Sequence, residues 1–333
     1  MAPTLLIIGG TGAQGSEIVR VLSKTGRYGI FVLTRDAKSA AALEVARLPN
    51  VSMIEGDASS VADLRRAFIG VDACFVNTNG FALSERDELY WGVRTFEIAA
   101  EAGVKHYVYA GLPYVYKRSG YNPKYNVGHL DGKGRVTDFI SAQPTGSMNW
   151  SVVNSALYLE MFYSSFLPTL GADGKTFVFN GAMGDGSAAM VTLPDLALYT
   201  LWVFDNPEKA RGLVLDVATE HVGWHNVATA FTKVTGKPAV YNPISPEMFG
   251  LTVAAGMPGG VESRFGENGM RVADNFEAFM ELHSLAVSGS QGLWTVDYDT
   301  LDRILPGRVK SVEEWMRKVD YTGENSRAVL KTM

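Results

Sequence analysis

The feature that most constrains this chain is a glycine-rich turn between an apolar segment and an amphipathic segment near its N-terminus. The apolar run at residues 5–8 predicts a strand buried inside a parallel sheet. Glycines follow at positions 9, 12 and 15, and residues 16–22 then place Ile18, Val19 and Leu22 on one helical face. A strand, a glycine turn and a helix in this order can bind a dinucleotide pyrophosphate, because the backbone approaches the phosphates and the helix N-terminus favours their charge.

The turn also predicts which residues would touch such a cofactor. Its spacing, Gly-x-x-Gly-x-x-Gly, is one residue wider at the front than the common Gly-x-Gly-x-x-Gly pattern. The strand and the helix lie where that pattern requires them, which favours a cofactor site over an ordinary glycine-rich turn. The predicted contacts come from Gly9, Thr11, Gly12, Ala13, Gln14 and Gly15.

Composition narrows the class of protein. The 333 residues are 47% hydrophobic and 20% charged, which fits a soluble globular protein with one large domain or two smaller ones. A net charge of −5 argues against a nucleic-acid partner bound by phosphate neutralisation. No Cys/His spacing suggests a metal site, and the single cysteine, Cys74, lies in an apolar strand pattern typical of a buried thiol.

The sequence also contains signals that bear on the cellular compartment of the protein. No apolar run reaches membrane-spanning length, and the first strand begins too early to leave room for a signal peptide. We therefore expect a cytoplasmic protein that has no membrane partner.

The second predicted strand, residues 30–34, ends in residues that bear on the choice between NAD and NADP. An acidic residue here would bind the ribose 2′-hydroxyl of NAD. Instead Thr34 is followed by Arg35, with Lys38 close behind, and a cation suits the 2′-phosphate of NADP. Asp36 is expected to point away or to cap the next helix. The sequence favours NADP(H) bound by Arg35 and Lys38, and the alternative for Arg35 is a solvated surface side chain.

Three further strands are predicted at residues 51–54, 71–76 and 104–109, with a long helix at 84–102. Ligands of such sheets lie at the carboxyl ends of the strands, so polar side chains after the third and fourth strands are expected to contact the cofactor. These are Asp57, Asn77, Thr78 and Asn79. Asp57 could also begin the helix predicted at residues 61–68, a role that needs no ligand and is compatible with a cofactor contact. The apolar stripe of the long helix is interpreted as core: Leu89, Val93, Phe96 and Ala100.

Residues 113–132 are predicted to form a long loop at the carboxyl end of a central strand. They carry four tyrosines, and three cations, Lys117, Arg118 and Lys124, precede the first acid, Asp131. A loop of this length is uncommon unless it has a function. We expect it to border the active cleft over an aromatic or anionic substrate, and the alternative is a disordered or partner-binding flap.

After this loop a helix is predicted at residues 133–142 and a sixth strand at 148–153. Asn154 and Ser155 follow that strand, and they could touch a nicotinamide carboxamide or start another helix. Later residues show an irregular pattern that is partly helical over 253–291, with one amphipathic helix at 312–319.

These elements predict an α/β protein with two domains. Residues 1–154 are expected to form a Rossmann-type doubly wound parallel sheet that binds NADP(H). Residues 155–333 are expected to form a smaller, irregular α+β domain for a substrate or a partner, with some segments returning to the main sheet.

Beyond the glycine turn, the chain carries several short motifs: Leu33-Thr34-Arg35-Asp36, Val104-Lys105-His106-Tyr107, His129-x-Asp131-Gly132-Lys133-Gly134, Val234-Thr235-Gly236-Lys237-Pro238, Ser311-Val312-Glu313-Glu314-Trp315 and Tyr321-Thr322-Gly323. With these motifs the chain resembles, nearly from end to end, the NmrA-like family of atypical short-chain dehydrogenase/reductase proteins. The resemblance implies a Rossmann domain, a small irregular C-terminal domain and a preference for NADP(H). Members include regulators that sense the nicotinamide pool, quinone reductases and fungal secondary-metabolite enzymes.

The resemblance also indicates candidate catalytic residues. Short-chain dehydrogenases use a serine and a Tyr-x-x-x-Lys pair to hold the nicotinamide ribose and to protonate the substrate oxygen. The pair's spacing is present as His129 and Lys133, whereas the serine position falls on Ala110. Lys133 is expected to reach the cofactor ribose or the substrate, and His129 can donate a proton near neutral pH. Tyr158 is another candidate donor, or an aromatic wall of the second domain.

Three functional hypotheses follow. The first is an NADP(H)-dependent oxidoreductase that reduces a carbonyl, quinone or enone of a small aromatic or polyketide-like substrate, as in fungal secondary metabolism. The second, favoured by the missing serine and tyrosine, is an NADP(H)-binding sensor that acts on a protein partner without turnover. The third is a non-redox isomerase, dehydratase or cyclase with Lys133 or His129 as its acid or base.

Overall fold

The computed structural model describes residues 2–284 and 292–324. Its strands, in chain order, are β1 (Thr4–Ile8), β2 (Gly29–Thr34), β3 (Val51–Glu55), β4 (Ala73–Val76), β5 (His106–Gly111), β6 (Asn149–Ser155), β7 (Leu157–Tyr158), β8 (Thr169–Leu170), β9 (Phe177–Gly181), β10 (Ala188–Val191), β11 (Leu213–Val217), β12 (Glu220–Val222) and β13 (Ala239–Pro243).

Seven of these strands form the main sheet, in the order β11-β6-β5-β4-β1-β2-β3. Every pairing from β3 across to β6 is parallel. Leu5 to Ile8 of β1 are at most 3% exposed, as expected for a strand covered on both faces. The strand order reverses between β1 and β4, the position where doubly wound sheets bind ligands. The predicted Rossmann-type fold is therefore confirmed.

Helices connect and cover the strands: α1 (Ala13–Thr25), α2 (Ala40–Ala46), α3 (Val61–Ala67), α4 (Glu85–Glu101), α5 (Val115–Arg118), α6 (Gly128–Ser141), α7 (Leu193–Asp205), α8 (Trp224–Thr235), α9 (Pro246–Ala255), α10 (Val272–His283), α11 (Tyr298–Ile304) and α12 (Val312–Lys318). The side chains of Ser39, Ser60 and Ser84 accept N–H groups at the starts of α2, α3 and α4. Within the described ranges no helix is both long and apolar enough to cross a membrane.

The tyrosine-rich segment differs from its prediction as a long loop. It contains α5 and a 3₁₀ turn at Pro123–Tyr125, and α6 begins at Gly128 instead of residue 133. Asp131 organises this segment, because its fully buried carboxylate accepts the backbone N–H groups of Tyr116 at 3.2 Å and Val127 at 2.8 Å. A buried acid that binds backbone groups leaves no periodic signal in the sequence.

Other boundaries also differ from the predictions. Strand β5 continues through Gly111, so Ala110 lies within the strand rather than after it. Strand β6 continues through Ser155 and β7 follows, so no helix starts at Asn154 or Ser155. The C-terminal segment contains α11 as well as the predicted α12. Helix α11 was not predicted because it is short and lacks a long apolar stripe, and the Asp297 side chain caps its start.

Two compact units are present in the chain, and both are discontinuous. The first unit comprises residues up to Pro113, Gly132–Ser155 and Leu193–Asp216, and it contains the main sheet except for the last residue of β11. The second unit comprises Tyr114–Asp131, Ala156–Thr192 and residues from Val217 onward. The sequence predicts that residues 1–154 bind the cofactor and that residues 155–333 bind a substrate or a partner. This assignment of ligands to the two parts of the chain stays a prediction.

The second unit is built on two small sheets, with strand orders β12-β10-β7 and β13-β9-β8. Its core is aromatic: the fully buried Phe162 lies within 6.5 Å, between ring centroids, of Phe166, Phe179, Trp224, Trp315 and Tyr321. The Tyr321 hydroxyl donates to the Phe162 carbonyl at 2.8 Å. The motifs around Trp315 and Tyr321 are therefore structural.

The start of β5 carries a histidine that should make stability pH-dependent. His106 is buried, and its Nε2 lies 2.8 Å from Ser151 Oγ. Ser151 Oγ itself donates to Ala210 O at 2.6 Å, so the histidine donates to the serine. Burial lowers the pKa of His106 from 6.5 to about 4.

The folded state binds this proton only at a lower pH than the unfolded chain does. The free energy of unfolding should therefore fall as the pH drops below 6.5. The expected contribution of His106 is a loss of about 3 kcal/mol between pH 7 and pH 4. Urea unfolding across this range should show a shallower pH dependence for His106→Gln, which keeps a donor but does not titrate. Equal slopes for both proteins would contradict this assignment.

Candidate functional site

The predicted glycine turn lies between β1 and α1. Gly9 has a φ of +81°, which glycine adopts without strain, and a Cβ there would overlap the carbonyl oxygen of Asn77. At Gly15 a Cβ would overlap Gly9 O and lie 2.7 Å from Gly10 Cα. At Gly12 its single neighbour within 4 Å among the described atoms would be Gly9 O, at 3.3 Å. The turn is thus close-packed at Gly9 and Gly15 and open at Gly12.

The start of α1 suits an anion. Helix α1 follows Gly12, which makes no side-chain cap hydrogen bond, and the first N–H groups of a helix favour a negative charge. Thr11 and Ala13 are half-buried beside them. Gln14 is 5% exposed, and its Oε1 accepts a hydrogen bond from Asn77 Nδ2 at 3.1 Å. This bond ties the turn to the end of β4.

A polar cluster continues from Asn77 to Lys133. The Lys133 ammonium lies 2.9 Å from Thr78 Oγ1, 3.4 Å from Asn77 Oδ1 and 3.1 Å from Glu88 Oε1. It also lies 5.3 Å from the centre of the Tyr109 ring. The side chain of Lys133 is only 8% exposed, so these contacts fix a nearly buried cation at the carboxyl end of the sheet.

Glu88 is the countercharge in this cluster, and its side chain is 2% exposed. Its Oε1 accepts from Thr78 Oγ1 and from the Tyr109 hydroxyl at 3.0 Å, besides pairing with Lys133. Burial, with the nearby Glu88 charge, raises the pKa of Tyr109 well above its usual value, so this tyrosine stays a neutral donor. A Cβ at Gly132 would lie 3.2 Å from Glu88 Cβ, so a glycine lets α6 approach α4 here.

Glu88 was missed in the sequence because the predicted stripe of α4 covers only part of its buried face: Phe96 is in the core and the half-buried Leu89 packs against it. The buried residues of this helix are Glu88, Gly92, Thr95, Phe96, Ile98 and Ala99, whereas Leu89 and Val93 are half-buried and Ala100 is exposed. Phe96 is the one predicted core residue in the buried set. Glu88 lies two helical turns before it, and an acid in phase with an apolar face is the signal that could have revealed the buried charge.

The end of β2 presents exposed cations. Arg35 and Lys38 are exposed, and neither forms an ion pair with the described residues. The Asp36 carboxylate accepts the Lys38 backbone N–H at 2.8 Å, and Ser39 caps α2 instead. Asp36 therefore closes a local turn rather than capping the helix.

The remaining predicted cofactor residues lie at other strand ends. Asp57 is exposed and accepts the Ser59 N–H at 2.8 Å, so Ser60 and not Asp57 caps α3. Asn79 is exposed and accepts the Phe81 N–H at 3.1 Å. Asn154 and Ser155 are buried, and Asn154 Nδ2 donates to Asp216 Oδ1 at 2.7 Å.

Two of the predicted catalytic residues belong to the second unit, whereas Lys133 belongs to the first. His129 is 7% exposed, and its ring contacts Asn275, a residue that the sequence did not single out. Tyr158 lies in β7, where it pairs with Val191 of β10. The catalytic roles of these residues stay predictions.

Among the described residues, no group of three or more His, Cys, Asp or Glu side chains could hold a metal ion. The turn, the uncapped helix start and the polar cluster do fit the phosphates and ribose of a dinucleotide, because they combine backbone donors with fixed side-chain donors.

The sheet order and the glycine turn define a Rossmann-type α/β protein. A model of the NmrA-like family matches residues 1–305, and the chain belongs to that family.

Curated relatives are similar over most of their length. An NmrA-like family domain-containing protein of Dictyostelium discoideum is 25% identical over 75% of this chain and 83% of its own length. The NmrA-like oxidoreductase FrzB of Cladobotryum sp is 25% identical over 73% of this chain and 76% of its own.

Solved structures share the fold. The negative transcriptional regulator NmrA in complex with NADP gives a TM-score of 0.74 at 20% identity, covering 96% of each chain. The Escherichia coli NADPH-dependent quinone oxidoreductase QOR2 gives a TM-score of 0.68 at 20% identity, covering 95% of this chain and 99% of its own.

Proposed function

We propose that the chain is an NADP(H)-dependent oxidoreductase that reduces a carbonyl, quinone or enone of a small, aromatic substrate. The observation that carries the proposal is the buried cluster in which Lys133, Thr78 and Asn77 connect to Gln14 of the glycine turn. The buried Lys133 ammonium is held by residues that follow β4, next to the point between β1 and β4 where the strand order reverses. Doubly wound sheets bind their ligands at this point, so the cation could contact a reacting ligand there. Relatives that are named oxidoreductases, and an NADPH-bound quinone oxidoreductase of the same fold, support it.

In this proposal each part of the cofactor has its own set of residues. The turn from Gly9 to Gly15 would hold the pyrophosphate, Arg35 and Lys38 the 2′-phosphate, and Lys133 with Asn77 and Thr78 the nicotinamide ribose. A nicotinamide bound there supplies the hydride. Lys133 already directs its three donors at three acceptors, and the bond to Asn77 Oδ1, the longest at 3.4 Å, is the one that a ribose hydroxyl would replace.

Glu88 and Tyr109 would act on Lys133 rather than on the substrate. The Glu88 carboxylate fixes the position of the Lys133 ammonium, and the Tyr109 hydroxyl donates a hydrogen bond to that carboxylate. The proton for the substrate oxygen is assigned to His129 or Tyr158, as the sequence predicts.

A second candidate is an NADP(H) sensor without turnover. Ala110, at the position of the family's serine, is buried and carries no hydroxyl group that could bind a substrate oxygen. The regulator NmrA, which has the same fold, has been solved with NAD as well as with NADP. In this case the partner would be another protein.

Titration with NADPH and NADP⁺, followed by NADPH absorbance in the presence of quinones and aromatic ketones, separates the two candidates. Tight binding with cofactor oxidation supports the oxidoreductase. Tight binding without oxidation of any substrate class supports the sensor, and absence of binding contradicts both.

Substitution of Arg35 tests the choice of cofactor. Arg35→Ala should weaken NADPH binding by about 10- to 100-fold, the value of one charge-assisted hydrogen bond to a phosphate, and should leave NADH binding nearly unchanged. Calorimetric titration with both cofactors measures this difference. Arg47→Ala, at the exposed end of α2, is the matched control. Equal losses for NADPH and NADH would remove Arg35 from the 2′-phosphate site.

A further inference from the structure

An ion pair on α3 holds the backbone of the segment that follows β3. The Asp63 carboxylate pairs with the Arg66 guanidinium, with Oδ1 and Nη1 2.7 Å apart, and its Oδ2 accepts the backbone N–H of Asp57 at 3.0 Å. Arg66 Nη2 donates to the carbonyl oxygen of Glu55, the last residue of β3, at 2.7 Å. The paired side chains therefore bind the backbone on both sides of Gly56.

Gly56 makes room for this arrangement. A Cβ at Gly56 would lie 3.0 Å from Arg66 Nη2 and 3.1 Å from Asp63 Cβ, both closer than ordinary van der Waals contact. A side chain at this position would therefore push the guanidinium away from the Glu55 carbonyl group. The glycine and the ion pair belong to one local arrangement, which we call the β3 clamp and define as residues 55–57 with Asp63 and Arg66.

The β3 clamp lies at the carboxyl edge of the main sheet. Glu55 pairs with Thr34 of β2, and the Gly56 N–H donates to the Thr34 carbonyl oxygen at 2.9 Å. Arg35, the residue proposed to bind the 2′-phosphate, follows Thr34 directly. Neighbouring strands lie about 4.8 Å apart, so the clamp begins about one strand spacing from Arg35. It therefore borders the side of the sheet that the proposed function assigns to the adenosine part of NADP(H).

The clamp holds the backbone of Asp57 and leaves its side chain exposed. The Asp57 carboxylate accepts the Ser59 N–H at 2.8 Å through Oδ1. An ionised carboxylate only accepts hydrogen bonds, and its two oxygens have about four lone-pair sites, so one internal bond leaves capacity for a donor group of a ligand. The 6-amino group of adenine is such a donor, whereas hypoxanthine carries an oxygen at the same position.

We propose that Asp63 is a positioning residue that, through the β3 clamp, holds Asp57 where its carboxylate accepts a hydrogen bond from the 6-amino group of adenine. The contact with adenine rests on the proposed function, whereas the clamp itself does not. Asp63 and Arg66 act through Asp57 and make no contact with the cofactor. Selectivity for adenine over hypoxanthine therefore depends on Asp63, a residue that does not touch the base.

Calorimetric titration of the full-length protein with NADPH and with its hypoxanthine analogue measures this selectivity. We expect the wild-type protein to bind NADPH about tenfold more tightly than the analogue, the value of one hydrogen bond to a charged group. Asp63→Ala should weaken NADPH binding by about tenfold and leave binding of the analogue nearly unchanged. Arg65→Ala removes an exposed cation from the same helix and should leave both affinities unchanged. Equal losses for both ligands, or full selectivity in Asp63→Ala, would overturn the proposal.

Amide hydrogen exchange tests the clamp without a cofactor. The Asp57 amide hydrogen is bonded to Asp63, so in the wild-type protein it should exchange at least about tenfold more slowly than in an unfolded chain. Asp63→Ala should remove this protection, and Arg65→Ala should keep it. Unprotected exchange at Asp57 in the wild-type protein would overturn the proposal even if Asp63→Ala failed to fold.

The wild-type titrations separate this inference from the proposed function. Absence of NADPH binding would contradict the proposed cofactor and remove the adenine contact with it. Tight NADPH binding without selectivity against the hypoxanthine analogue would leave the proposed function standing and overturn this inference alone.

Discussion

Lys133→Met is expected to lower the free energy of unfolding by about 3 to 5 kcal/mol, because it leaves the Glu88 carboxylate buried without a countercharge. Glu88 Oε1 would keep its hydrogen bonds from Thr78 and Tyr109, but neutral donors replace a cation poorly. The variant should also lose turnover, since the proposed ribose contact is removed. Urea unfolding and NADPH oxidation measure the two effects separately.

Two comparisons show whether the loss comes from the buried charge. Lys124→Met breaks a pair with Glu281 in which the lysine is 50% exposed, and it should cost about 1 kcal/mol or less. Adding Glu88→Gln to Lys133→Met removes the unpaired charge and should recover most of the stability, whereas turnover should stay lost. A loss for Lys133→Met no larger than that for Lys124→Met would mean that the cluster does not hold a buried ion pair.

Six of the seven strands of the main sheet could be predicted from the sequence because their signals are local, whereas β11 was not located. Strand β1 is an apolar run, and the glycine turn is recognisable from its spacing. The predicted ends of α4 lie within one residue of the observed ends. Its buried face was predicted only in part, because Glu88 is buried beside Leu89, which packs against the core from a half-buried position.

Residues of the candidate site could be named from the sequence only where one segment carries the whole signal. Lys133 and the turn residues were named from motifs. The partners of the candidate side chains were missed because they are distant in the chain: Glu88 lies on another helix, and Asn275 is separated from His129 by 146 residues. Such pairings arise from tertiary packing, and contacts between residues that are distant in the chain produce no periodic pattern in a single sequence.

Gly15→Ala is expected to reduce NADPH binding by more than about 100-fold and to lower stability by about 3 kcal/mol. Its Cβ would overlap Gly9 O and lie 2.7 Å from Gly10 Cα. Both neighbours are backbone atoms, which cannot rotate away as a side chain can, so α1 must move off the turn. That movement would displace the N–H groups proposed to face the pyrophosphate. Calorimetric titration with NADPH and urea unfolding measure the two losses.

Gly12→Ala separates cofactor contact from packing in the same turn. A Cβ at Gly12 would meet Gly9 O at 3.3 Å, so the fold should lose little stability. If the phosphates approach the open backbone there, NADPH binding should still fall by about tenfold or more, because the methyl group occupies their place. Strong binding by Gly12→Ala together with weak binding by Gly15→Ala would mean that the turn positions α1 without touching the cofactor. Strong binding by both variants would exclude the turn as the pyrophosphate site, since neither backbone approach nor helix position would then matter.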